Sequence, residues 1–133
     1  MLLRAAMDEA KDILIIEDER ELSATIAEEL ASEGFTVDVA NDGQEALSML
    51  GKERYELAVL DLKLPKVDGF TVLRHVKEHL PDTKVIVLTA YADLKNVTKA
   101  KSLGADDVIE KPYDLGDLID AIHFVLGGRK TGP

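Results

Sequence analysis

Leu57-Ala58-Val59-Leu60-Asp61 is an unbroken apolar run that ends on a carboxylate. A short continuous apolar run of this kind reads as a strand buried on both faces, as in a parallel sheet covered by helices. Three other segments repeat the pattern. Ile13-Leu14-Ile15-Ile16 runs into Glu17-Asp18, Val85-Ile86-Val87-Leu88 runs into Thr89, and Val108-Ile109 leads to Lys111-Pro112. In a parallel sheet all strand C-termini share one edge, and open α/β sheets form their binding sites there. The sequence therefore predicts that carboxylates, one ammonium group and one hydroxyl converge on a single pocket.

Outward from that run, helical periodicity alternates with strand signals. Leu22, Ile26 and Leu30, with Ala27 and Ala31, recur at helical spacing, and Gly34 supplies a stop. Phe35 to Ala40 alternates as a second strand. Asn41 followed by Gln44 has the form of a capping box for a short helix through Ala46, Leu47 and Leu50, ended by Gly51. After Asp61, Pro65 and Gly69 mark a loop, and Phe70, Leu73, Val76 and Leu80 form the stripe of a third helix closed by Pro81. Leu94, Val97, Ala100 and Leu103 define a fourth helix with a thin apolar face, capped by Asp93 and stopped by Gly104. A short strand around Asp107 to Glu110 precedes a last helix carrying Leu115, Leu118, Ile119, Ile122 and Val125, with Asp114 as its cap. Five β-α units in one domain imply a doubly wound (βα)5 sandwich with a parallel sheet and right-handed crossovers.

The chain has 133 residues, enough for one domain with a substantial core. A net charge of −10 argues against direct nucleic-acid binding and points instead to a divalent cation or a basic partner. No apolar stretch approaches a membrane span of about 20 residues. The absence of cysteine excludes a disulfide framework and thiolate metal sites, and it fits a cytoplasmic protein. We divide the chain into an N-terminal extension (1–11), a folded domain (12–126) and a tail of linker composition (127–133). That tail is read either as a terminus or as the start of a connection to a further domain.

These residues make the chain resemble a response-regulator receiver domain, the phosphoacceptor half of two-component signalling. The resemblance spans about residues 12–126 and rests on motifs in the family's order. They are the acidic pair in Ile15-Ile16-Glu17-Asp18-Glu19, then Val59-Leu60-Asp61-Leu62-Lys63-Leu64-Pro65 with Asp68-Gly69. Val87-Leu88-Thr89-Ala90 and Leu103-Gly104-Ala105-Asp106-Asp107 with Lys111-Pro112 complete the set. The resemblance implies a flavodoxin-like sheet of order 2-1-3-4-5. It also implies a nucleophile at Asp61, which would become an aspartyl phosphate. Mg²⁺ would be held by Asp18, Asp61 and Glu17, with the main-chain carbonyl of Lys63 completing the protein ligands. Glu17 stands where aspartate is also common, and its longer side chain would reach the metal directly or through a water. Three crowded carboxylates repel one another without a cation, which is an independent physical reason to expect the metal. Asp18 has a second reading as a cap of the first helix, compatible with the metal role.

By the same resemblance Lys111 supplies a fixed positive charge to Asp61 and then to a phosphoryl oxygen, and Lys111-Pro112 is cis. Thr89 offers a hydroxyl to another phosphoryl oxygen, and Ala90 leaves room for entry. The switch residues are Thr89 and Val108. Family members often carry an aromatic at the Val108 position, and valine cannot make the large rotameric swing that an aromatic makes. Tyr91 and Tyr113 are nearby candidates for part of that role. Lys63 and Tyr91 flank the pocket and are read evenly as tuners of phosphate lifetime or as plain surface residues. His75, His79 and His123 lie on helices away from the strand ends and are read as surface or satisfied histidines.

The implied partners are a sensor histidine kinase or phosphotransfer protein as donor and a downstream effector, with a phosphorylation-dependent homodimer as a further expectation. The domain would not be an enzyme beyond its own phosphorylation and dephosphorylation. Two alternatives remain: an unphosphorylated receiver-like interaction module, and a Mg²⁺-dependent phosphohydrolase with an aspartate nucleophile. The intact Glu17, Asp18, Asp61, Thr89 and Lys111 set opposes the first. Against the second, such enzymes usually carry a second acid two residues after the nucleophile, where this chain has Lys63.

Overall fold

A computed structural model describes residues 9–90 and 93–127. The strands are β1 (Lys11–Ile16), β2 (Val37–Ala40), β3 (Tyr55–Asp61), β4 (Lys84–Thr89) and β5 (Asp107–Glu110). The helices between and after them are α1 (Arg20–Ser32), α2 (Gly43–Lys52), α3 (Gly69–His79), α4 (Leu94–Ser102) and α5 (Leu115–Val125). All strand pairings are parallel, in the order β2-β1-β3-β4-β5. This is the predicted order.

Strand periodicity sorts the apolar residues onto two faces. Leu14, Ile16, Ala58, Leu60, Val85 and Val87 pack with Ala46, Leu50, Val72, Leu73, Val76 and Ala100 from α2, α3 and α4. Ile13, Ile15, Leu57, Val59, Ile86 and Leu88 pack with Ile26 and Leu30 of α1 and Leu118 and Ile122 of α5. Each buried aliphatic side chain of this size contributes about 1.5–3 kcal/mol, so the central strands are the rigid frame on which the loops at their ends are held. The register brings Ile16 beside Leu60 and Asp61 beside Leu88, so the strand ends stop at one level.

Several local expectations shift. α2 is capped by Asp42 rather than by the expected Asn41–Gln44 box. Asp42 is the N-cap and accepts from the Glu45 N–H at 2.7 Å, while Glu45 Oε1 accepts from the Asn41 N–H at 2.7 Å. α2 also continues past Gly51 to Lys52. β2 starts at Val37, and Phe35 is buried in the turn before it. Asp18 does not cap α1, whose N-cap position is Glu19 without a side-chain bond; Asp114 likewise occupies the N-cap position of α5 without bonding through its side chain. Gly34 and Gly104 end α1 and α4 with φ of 100° and 102°, the left-handed region that a side chain resists. α4 buries only Ala100, and its Leu94 is 70% exposed. Its thin apolar face is thus real.

Candidate functional site

Glu17 and Asp18 step off the end of β1 beside Asp61, the last residue of β3. One carboxylate oxygen from each of the three falls within 4.8 Å of the others. Glu17 and Asp61 are buried, at 2% and 3% exposure, whereas Asp18 is exposed. Asp61 Oδ2 accepts a hydrogen bond from Lys111 Nζ at 2.5 Å, and Oδ1 accepts from the Lys63 N–H at 2.9 Å. Lys111 is delivered by the end of β5: its own N–H donates to the Thr89 carbonyl at 2.7 Å, tying the ends of β4 and β5 together. The Lys111-Pro112 bond is cis, as expected. Lys63 enters the site through its backbone amide, and its side chain is exposed.

The charges are unevenly compensated. Lys111 Nζ lies 3.9 Å from Glu17 Oε1, a contact too long for a hydrogen bond, and that oxygen is a buried atom without a hydrogen-bond partner among the described residues. Burial, with the neighbouring Asp61 carboxylate, pushes the Glu17 carboxyl up to about 7 against the pull of the Glu19 N–H and Lys111. Burial alone would push the Lys111 ammonium down, but the hydrogen bond and charge of Asp61, with the charge of Glu17, hold it above its ordinary value. Burial also raises the Tyr113 phenol, whose hydroxyl is buried without a hydrogen-bond partner among the described residues. One ammonium facing three carboxylates leaves an electron-rich, oxygen-only donor set with an orphaned oxygen. A small hard dication fits that set chemically.

A cavity of about 450 Å³ opens beside these groups, lined in part by Asp61, Thr89, Lys111, Phe70, Asp93 and Asn96. Thr89 is only 3% exposed, and it lies at the strand end where the sequence placed it. Val108 is half-buried and packs against the α2–α3–α4 layer together with Leu103 and Ala105. Tyr91 lies outside the described residues. A larger cavity, about 640 Å³, opens at the opposite edge of the sheet among Asp12, Glu53, Tyr55, His79 and Thr83. None of the strand-end groups reaches it. The strand-end groups Asp61, Thr89 and Lys111 line the smaller cavity instead.

Supporting roles appear that the sequence reading did not assign. Asn41 Nδ2 donates to the Glu17 carbonyl at 2.8 Å and to Ser23 Oγ at 3.2 Å, and Ser23 in turn donates to the Arg20 carbonyl at 3.1 Å. This half-buried chain of hydrogen bonds pins the acidic loop to β2 and α1. An Asn after a strand is an ordinary turn signal, so nothing in the sequence distinguishes this use. Gly69 is the other. An added Cβ there would lie 2.5 Å from Leu62 Cα and 2.9 Å from the Asp61 carbonyl oxygen, so the start of α3 packs directly on the Asp61 loop.

A sequence model of the response regulator receiver domain matches residues 13–123. The chain belongs to the response regulator receiver domain family. This receiver domain is 37% identical over 115 residues to the response regulator ArlR of Staphylococcus epidermidis, covering 86% of this chain and 52% of the relative. It is 35% identical over 121 residues to the response regulator MprA of Mycobacterium leprae, covering 91% and 52%. The chain thus spans about half the length of these curated relatives. A CheY-like response regulator receiver domain from Methanospirillum hungatei superposes with a TM-score of 0.83 at 32% identity, covering 93% of this chain and 100% of that one. Among the described residues, no helix is long and apolar enough to cross a membrane.

Proposed function

We propose that this receiver domain accepts a phosphoryl group on Asp61 from a phosphohistidine of a sensor histidine kinase or phosphotransfer protein. The observation that carries this reading is the binding of both Asp61 oxygens, Oδ2 by Lys111 and Oδ1 by the Lys63 N–H, at the wall of a cavity that also contains Thr89. Phosphoryl transfer depends on positioning and charge neutralisation more than on covalent assistance. In the transfer the donor's N–P bond breaks, a P–O bond to an Asp61 oxygen forms, and the leaving imidazole keeps its electron pair. Lys111 holds the nucleophile before transfer and is placed to follow the negative charge onto a phosphoryl oxygen. Thr89 offers its hydroxyl to a second oxygen.

Glu17, Asp18 and Asp61, with the Lys63 carbonyl, would hold Mg²⁺, which when bound supplies neutralising charge to the phosphoryl oxygens. Asn41 and Ser23 keep the Glu17 loop in place for that role. Phosphorylation biases the α4–β5–α5 region, with Thr89 and Val108 at its inner edge, and presents a protein-interaction face to an effector or a second copy. We assign the domain to the cytoplasm and give it no reaction beyond its own phosphorylation and dephosphorylation.

The test is incubation with acetyl phosphate and Mg²⁺ followed by intact mass spectrometry. A single labile phosphate on the wild type and none on Asp61→Asn is the expected result. No labile phosphate on the wild type refutes the reading, and equal labelling of Asp61→Asn refutes the assignment of the acceptor.

A further inference from the structure

The cavity beside Asp61 has one wall made by α4 itself. Asp93 and Asn96 both line it, and Asp93 is also the residue that starts the helix. Its Oδ1 accepts from the Asn96 N–H at 3.2 Å, its Oδ2 from Asn96 Nδ2 at 2.7 Å, and its carbonyl from the Val97 N–H at 3.0 Å. The other two side-chain caps, Asp42 and Asp68, hold extended backbone at ψ of 168° and 161°, whereas Asp93 caps at ψ 70°. Beyond the Asp93 N–H, which donates to the Ala90 carbonyl at 3.3 Å, α4 has little else to hold its first turn. Leu94 points to solvent, Ala100 is the helix's single buried residue, and the Lys99 ammonium rests over the Phe70 ring at 4.3 Å near the far end. A helix of nine residues is marginal on its own, so its first turn depends on the cap.

We propose that Asp93 makes the first turn of α4 a direct reporter of charge at Asp61. A phosphoryl group placed in the shared cavity replaces one carboxylate charge with a dianion on the same side chain, a net gain of about one negative charge. Asp93 faces that charge across the cavity and is repelled. Its bonds to Asn96 loosen, and the first turn of α4 opens while the segment around Ala100 stays docked. This inference rests on the phosphoacceptor reading and assigns that site a route to α4 that does not pass through Val108. The wall is shared and the cap is single, so the effect needs no aromatic rotamer.

The experiment is amide hydrogen exchange by NMR at Asn96 and Val97, with and without acetyl phosphate and Mg²⁺. Phosphate occupancy is read by intact mass in each sample. Phosphorylated wild type should exchange about fivefold faster at these two amides, the factor represented by a lost cap. Asp93→Asn keeps a good cap without the charge, so it should show no increase on phosphorylation. Asp93→Ala should exchange fast already and change little. Occupied wild type without acceleration overturns the proposal, as does Asp93→Asn accelerating as much as wild type. The second result, if abolished by Val108→Ala, would transfer the route to β5. Absence of any phosphate on the wild type would instead overturn the phosphoacceptor reading, and this proposal with it.

Discussion

Replacing Glu17 by glutamine tests the electrostatics of the site without touching Asp61. In the folded protein the Glu17 carboxyl is raised from 4.5 to about 7 by burial and by the adjacent Asp61 carboxylate. The folded state therefore binds this proton more tightly than the unfolded chain does. The resulting stability is fully present below about pH 4.5 and is lost as pH rises through about 7. At about 1.36 kcal/mol per pH unit the whole effect is about 3 kcal/mol, of which about 2 kcal/mol falls between about pH 5.5 and about pH 8. An amide carries no such titration. Urea unfolding of both proteins in EDTA should therefore show Glu17→Gln gaining about 2 kcal/mol on wild type between those two pH values. Parallel pH profiles for the two proteins would refute the claim that this buried carboxyl carries the excess charge of the site. Adding Mg²⁺ at about pH 8 should stabilise wild type, by about 2.7 kcal/mol at a hundredfold excess over Kd, and should stabilise the variant less.

Three further outcomes follow from contacts around the same frame. Gly69→Ala drives a Cβ to 2.5 Å from Leu62 Cα and 2.8 Å from the Leu62 carbonyl oxygen, which are backbone atoms that cannot swing away. It should cost about 3 kcal/mol in urea unfolding and slow phosphorylation of Asp61; a near-neutral variant would show that α3 can shift outward freely. Asp106→Ala removes the acceptor of the Val85 N–H at 2.8 Å and of Lys77 Nζ at 2.7 Å. The loss should be about 2 kcal/mol, and a double-mutant cycle with Lys77→Met should give a coupling above about 0.5 kcal/mol. Lys111→Gln removes the only ammonium on Asp61 among the described contacts. The rate of phosphorylation by acetyl phosphate should fall about 100-fold or more, with Mg²⁺ binding retained; an unchanged rate would take Lys111 out of the transfer step.

The sheet was legible because β1, β3 and β4 are built on continuous apolar runs, each leading into a residue too polar to bury alone, while β2 showed itself by alternation and β5 by Val108-Ile109 before Lys111. Parallel strands place all those ends on one edge, so Asp61, Glu17, Asp18, Thr89 and Lys111 could be assigned to one pocket from order alone. Helix caps were legible where an acid precedes a periodic stripe, as at Asp93. They failed where neighbouring polar residues compete, as when Asp42 rather than Asn41 begins α2.

Tertiary structure alone decided how the charges share the pocket. Burial of Glu17 and exposure of Asp18, adjacent in sequence, depend on the path of the chain after β1, which Asn41 and Ser23 hold from elsewhere in the fold. The entry of Lys63 by its amide and the place of Asp93 on the wall of the Asp61 cavity depend in the same way on loop and helix positions. Periodicity specifies which residues face the core and where strands stop. It carries no information about the distances between groups on different loops, and those distances set the electrostatics of the site.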